Sequence, residues 1–124
     1  MVAVVWTLVI VAICWMPESR LPKSSQGRGW WFLSLPHHDK LVHAGMFVGF
    51  GLAWGMALRR GDATTRLGIL AGGLALALLT ELGQPFFDRD AEWLDGVCDL
   101  LGTLLGVSLA AFWRQPTAAF STTT

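Results

Sequence analysis

Residues 80–106 read TELGQPFFDRDAEWLDGVCDLLGTLLG, two apolar runs joined by a short charged turn. Polar side chains enter both runs from that turn: Glu81 and Gln84 before it, Asp95 and Asp99 after it. An aspartate at the centre of a membrane helix costs about 2.5–3.5 kcal/mol on insertion scales, so a short chain that gathers several is expected to use them. The stretch therefore decides what fold to expect, helices packed in lipid, and where to look for function.

Composition supports that reading. The chain has 124 residues, 53% of them hydrophobic and only 15% charged, with seven Trp, no Tyr and 14 Gly. Its mean hydropathy is +0.51, above the range of ordinary soluble domains. The prediction is an all-α integral membrane protein, a four-transmembrane-helix bundle. A formal net charge of zero argues against a nucleic-acid partner. Cys14 and Cys98 both fall in apolar runs, which argues against a disulfide framework.

Outward from the central stretch, the spans are expected at residues 2–16, 41–58, 67–84 and 93–113, within one domain over 1–114 that is followed by a small polar, flexible tail at 115–124. The first run is shorter than the roughly 17–25 residues that cross hydrocarbon without local thinning. A signal peptide is the competing reading, but the run lacks a basic start and a small-residue cleavage site. Trp30, Trp31 and Phe32, in the polar connection before span two, suit an interfacial or re-entrant segment. Gly45 and Gly49, Gly51 and Gly55, Gly68 and Gly72, and Gly102 and Gly106 are each four apart, a spacing that lets helix backbones approach closely. Pro85 is expected to stop the third span at Gln84.

Alternating passes place the start of span two, the end of span three and the start of span four on one membrane side. Asp39, Lys40, His43, Glu81, Gln84, Arg89, Asp95 and Asp99 then converge within roughly two helical turns of that surface. Arg59, Arg60 and Arg66 crowd into one short connection on the other side. That density favours the connection and both termini in the cytoplasm, with the polar cluster facing out of the cell membrane.

Several roles follow from residue type. Asp39 and His43 are four apart on a helix, so the carboxylate can fix the imidazole's tautomer and raise its basicity. The bland alternative is that Asp39 caps the helix and Lys40 snorkels to the head groups. Glu81 lies near the negative end of a helix dipole in a poor solvent, which opposes its charge, whereas the dipole favours charge on Asp95 and Asp99. Such an arrangement separates acid and base roles; the alternative is a hydrogen-bonded clasp between helices. Arg89 can pair with its acidic neighbours or hold a lipid phosphate together with Lys40. His37, His38, His43, Asp39, Asp95, Asp99 and Cys98 include metal-ligand types, but their spacing matches no strong metal motif. No metal or other cofactor is therefore expected.

Taken in order, Asp39-Lys40-x-x-His43-x-x-x-Phe47, Glu81-x-x-Gln84, Arg89 and Asp95-x-x-x-Asp99-x-x-Gly102-x-x-x-Gly106 resemble the VanZ-like family of small bacterial membrane proteins. The resemblance runs from about Pro36 to Gly106. It implies a four-helix membrane domain, and the family's namesake is linked to teicoplanin resistance. Similarity has also been proposed to membrane enzymes that exchange or hydrolyse lipid head groups. The family's polar positions fall on Asp39, Lys40, His43, Glu81, Gln84, Arg89, Asp95 and Asp99, and the family commonly has Asn where this chain has Asp99.

Two functions are expected to compete. One is an enzyme of the cell envelope acting on a phosphate ester of a phospholipid or polyprenyl-linked head group. In it Lys40 and Arg89 hold the phosphate, His43 oriented by Asp39 is base or nucleophile, and Glu81 protonates the leaving group. Gln84, Asp95 and Asp99 then support those groups or bind an acceptor alcohol. The other is a non-catalytic module that binds a membrane lipid or a glycopeptide. A proton-linked transporter fits least, because the ionisable residues stop in one leaflet.

Overall fold

Four helices, α1 (Val2–Cys14), α2 (His38–Ala57), α3 (Ala63–Gly83) and α4 (Trp93–Trp113), make up the computed structural model, which describes residues 1–17, 20, 38–58, 60–87 and 92–114. There is no strand among the described residues. The expected interfacial trio Trp30, Trp31 and Phe32, the tail at 115–124 and Arg89 lie outside them.

The helix ends have identifiable causes. Asp62 caps α3 by accepting a hydrogen bond from the Thr65 amide at 3.2 Å, so α3 begins four residues before the apolar run. Hydrogen bonding by Thr65 holds the Asp62 carboxyl below its ordinary pKa. At the far end of α2, Arg114 donates from Nη2 to Met56 O at 2.7 Å and from Nη1 to Leu58 O at 2.8 Å. These carbonyls have no partner within their own helix, and the guanidinium of α4 supplies one.

α3 ends at Gly83, one residue short of the stop that Pro85 predicts, but the chain does not leave the helical direction there. Gln84 keeps a helical backbone, with φ −53° and ψ −42°, and the chain tightens into a 3-10 turn over Gln84–Phe87. A new turn tolerates proline near its start, where the missing N–H has no intrahelical acceptor.

The centre of the fold is the seam between α2 and α4, which run parallel with glycine on both sides. A Cβ on Gly51 would meet Thr103 O, one on Gly102 would meet Ala44 O, and one on Gly106 would meet Val48 O. Only hydrogen at these positions lets the two backbones touch. Gly55 extends the seam toward Ala110, whose Cβ would lie 2.6 Å from an added Cβ. The other expected pairs do different work. Gly45 and Gly68 face open space, Gly49 lies under the Trp6 ring, and α3 is brought onto α4 at Gly73, against the Thr103 side chain, rather than at Gly68 and Gly72.

Tryptophans fasten α1 to the outside of this pair. Trp6 Nε1 donates to Met46 O at 2.9 Å, and Trp54 Nε1 donates to Thr7 Oγ1 at 3.1 Å. Trp15 lies over Gly83 and stacks on Phe87, with ring centroids 5.6 Å apart. Thus α1 runs antiparallel to α2, and its end lies beside the end of α3. Ile10, Phe47, Phe50, Leu76 and Val107 are among the apolar core residues shared by the four helices.

Among the described residues, two segments are long and apolar enough to cross a membrane: α3 with its 3-10 extension, 25 residues, and α4, 21 residues. At about 1.5 Å per residue each exceeds or matches a hydrocarbon core about 30 Å thick. The apolar α1 has 13 residues, and α2 carries Asp39, Lys40 and His43 in its first turns. Polarity is distributed inside out. Thr80, Gln84, Asp95, Asp99 and Thr103 are buried, whereas Leu67, Leu82, Leu101, Phe112 and Trp113 are each more than half exposed.

Candidate functional site

Because α2 and α4 are parallel and in register, their first turns lie side by side, and antiparallel α3 brings its last turn to the same end. Lys40, His43, Glu81, Asp95 and Asp99 consequently meet there, as alternation of the spans predicts.

The outer layer is organised by Lys40. Its Nζ donates to Glu92 Oε2 at 2.6 Å, Asp39 Oδ2 at 3.1 Å and Asp95 Oδ1 at 3.2 Å. All three ammonium hydrogens are thereby used. The Glu92 and Asp39 side chains are 53% and 38% exposed, whereas that of Asp95 is 6% exposed. The contact to Asp95 is thus the one least screened by water.

One turn deeper, His43 and Asp99 form a buried pair. His43 Nδ1 lies 3.1 Å from Asp99 Oδ1, and the side chains are 4% and 0% exposed. An ionised carboxylate only accepts, so opposite it the proton sits on Nδ1, and in the neutral imidazole Nε2 carries the lone pair. Nε2 points toward Asp95 Oδ2, 3.9 Å away.

This is a correction to the pairing expected along α2. Asp39 gives its carboxylate to Lys40, and Asp99 from across the glycine seam orients His43. The in-helix partner loses because the close backbones of α2 and α4 deliver a second carboxylate to the imidazole at a better depth.

Glu81 completes the inner layer. One ligating atom each from His43, Glu81 and Asp99 lie within 4.8 Å of one another. Both Glu81 carboxylate oxygens and Asp99 Oδ2 are buried with no hydrogen-bond partner. Leaving such an atom unsatisfied costs about 1–3 kcal/mol, and more when it is charged. A native structure that keeps several together generally does so for a ligand, an ion or a reaction. Gln84 has both amide atoms in the same condition and lies on the buried face of α3 one turn beyond Thr80. Asp39, Glu92 and Asp95 also lie within 4.8 Å of one another, but that trio surrounds the Lys40 ammonium.

Some participants escape sequence reasoning. Glu92, the nearest partner of Lys40, reads as part of an acidic turn; its position just before the first residue of α4 was the available signal. Thr103, whose Oγ1 donates to Asp99 O at 2.9 Å, reads as one polar residue in an apolar run, yet it occupies the next turn of the Asp95 and Asp99 face. Trp15 Nε1 is buried and unpartnered, and nothing in the sequence marks it. Among the described residues Cys14 and Cys98 form no disulfide.

No family model, curated protein or solved structure matches the chain.

Proposed function

We propose that this chain is a four-span bundle of the bacterial cell membrane, VanZ-like in the order of its polar motifs, whose cluster acts on phosphate esters of lipid or polyprenyl-linked head groups. The observation that carries the reading is the triad of buried His43 and Asp99 with half-buried Glu81, set at one end of helices whose outward faces are apolar. Apolar exteriors on this scale call for a lipid surround. In that surround α1 and α2 join α3 and α4 as spans, the bilayer thinning locally at α1. The dense arginines of the connection between α2 and α3 orient the cluster away from the cytoplasm.

In this reading His43 Nε2 accepts the proton of an attacking water or alcohol, while Asp99 holds Nδ1–H and stabilises the imidazolium that forms. As the phosphorus–oxygen bond to the leaving alcohol breaks, Glu81 supplies that alcohol's proton. Gln84 and Asp95 line the path, and Arg89 enters as a phosphate-holding cation from the sequence pattern alone.

The grip on Lys40 favours a second reading. An ammonium shared by three carboxylates attracts a phosphate weakly, and surplus carboxylates suit an amine-bearing amphiphile. A non-catalytic module that sequesters a lipid or glycopeptide, and so contributes to teicoplanin-type resistance, uses the same cluster without turnover.

Mass spectrometry of lipids and polyprenyl phosphates separates the two. Cells would express wild type, His43→Ala and Glu81→Gln at matched membrane levels. A head-group species altered by wild type and by neither variant supports the enzyme and names its substrate. Unchanged lipids with all three proteins inserted overturn it in favour of the binding module.

A further inference from the structure

The inner and outer layers of the cluster hold the same kind of ligand but are neutralised differently. In the outer layer Asp39, Glu92 and Asp95 share the Lys40 ammonium. In the inner layer Glu81 and Asp99 face no lysine or arginine among the described residues; the imidazole of His43 is the one basic group beside them. Across both layers and among the described residues, the five carboxylates of Asp39, Glu81, Glu92, Asp95 and Asp99 face one lysine and one histidine.

We propose that His43, Glu81 and Asp99 form a binding site for a divalent metal ion, with zinc the ion that best fits the ligand set. One imidazole nitrogen and two carboxylate oxygens from three different helices, all within 4.8 Å, supply the three protein ligands of an open zinc site. The 3.1 Å between His43 Nδ1 and Asp99 Oδ1 also matches the edge of a coordination polyhedron. Bonds of about 2.1 Å give edges of about 3.0–3.4 Å in octahedral and tetrahedral geometry. Magnesium, which prefers an all-oxygen, largely hydrated shell, suits the imidazole poorly.

The independent observation is the set of orphaned atoms. Asp99 is 0% exposed, and its Oδ2, with both oxygens of Glu81, is buried without a hydrogen-bond partner. An ion held by one oxygen of Glu81 and one of Asp99 gives these carboxylates the countercharge that no hydrogen bond supplies. On binding, the proton of His43 Nδ1 moves to Nε2 through a change of tautomer, and Asp95 Oδ2, 3.9 Å from that nitrogen, becomes the carboxylate behind the ligand. No net proton need be released when His43 starts neutral and both carboxyls ionised.

The inference rests on the reading that this cluster is the working site, and it deepens that reading. A divalent ion gives the cluster the positive charge a phosphate ester requires and Lys40 cannot spare. With His43 and Glu81 engaged as ligands, the base role of Nε2 and the acid role of Glu81 both pass to other groups at the site.

The test uses the full chain without a histidine tag, purified in detergent, stripped with a chelator and titrated with zinc alone by calorimetry and elemental analysis. The expected result is one equivalent per chain, with affinity lowered about 100-fold or more in His43→Ala and Asp99→Asn and at least 10-fold in Glu81→Gln. Asp39→Asn, in the outer layer, changes it less than threefold. Circular dichroism and thermal midpoint verify that each variant is folded, and the wild-type stoichiometry stands apart from any variant that is not. Less than 0.2 equivalents on wild type, or binding that survives all three inner-layer substitutions, overturns the metal site. Binding is read without lipid, so a failure here leaves the head-group reading standing; zinc bound with no lipid altered removes the enzyme and keeps the site.

Discussion

His43 meets Asp99 across the seam between α2 and α4, with Nδ1 3.1 Å from Oδ1, and not Asp39 four residues away on its own helix. A double-mutant cycle reads this directly. His43→Phe with Asp99→Leu should show a coupling of about 1.5–3 kcal/mol in unfolding free energy, the range for a hydrogen bond to a charged group. The cycle between His43→Phe and Asp39→Ala should give less than about 0.5 kcal/mol. Equal couplings would return the orienting role to Asp39.

The glycines of α2 and α4 should divide sharply. Gly106→Val drives a side chain into Val48 O and should cost at least about 1–3 kcal/mol, the scale of overpacking, or prevent the helices from closing. Gly45→Ala meets nothing within 4 Å and should raise stability by up to about 1 kcal/mol through helix propensity. Thermal midpoints in detergent would check both; a tolerated Gly106→Val would refute the seam.

Lys40→Met leaves Asp39, Glu92 and Asp95 facing one another without their shared cation. The variant should melt below wild type at neutral pH and low salt, with the gap narrowing as salt screens the carboxylates. A gap that is unaffected by salt would make the loss one of packing along the lysine stem.

Asp62 supplies a pH test away from the cluster. Its carboxyl is held below the ordinary value by hydrogen bonding from Thr65, so its contribution to stability is complete above the ordinary carboxylate range. It disappears as the pH falls through the lower, folded value. Asp62→Ala should be less stable than wild type at pH 7 and indistinguishable from it in strong acid. A gap that persists unchanged in acid would rule out the charge of the cap as its source.

Topology has its own check. In a chain with Cys14 and Cys98 replaced by Ser, Gly61→Cys should react with a membrane-impermeant maleimide only after cells are opened. A fluorescent protein joined to the C-terminus should be bright in the cytoplasm. Labelling of intact cells would invert the bundle.

The end at which the polar residues gather was legible from the sequence, because it requires only that helices alternate in direction. Lys40, His43, Glu81, Asp95 and Asp99 do meet there. Their pairing was not legible. Spacing along a chain shows partners three and four residues apart on one helix, while His43 finds Asp99 through the axial register of two helices that are not consecutive. That register depends on which glycines face each other, and Gly45 cannot be told from Gly51 by spacing alone. The extent of α4 was legible at both ends, whereas the apolar run understates the start of α3 because Asp62 begins it outside that run, and the 3-10 turn that follows Gly83 was not foreseen.

The parallel seam also fixes an order of assembly. A ribosome releases α2 long before α4, so until residues 93–113 exist His43 has no Asp99, Lys40 has neither Glu92 nor Asp95, and the glycine face of α2 has nothing to lie against. The site is completed only when α4 has emerged. Any chain cut short before α4 therefore leaves Lys40 with Asp39 alone and His43 without the carboxylate that orients it.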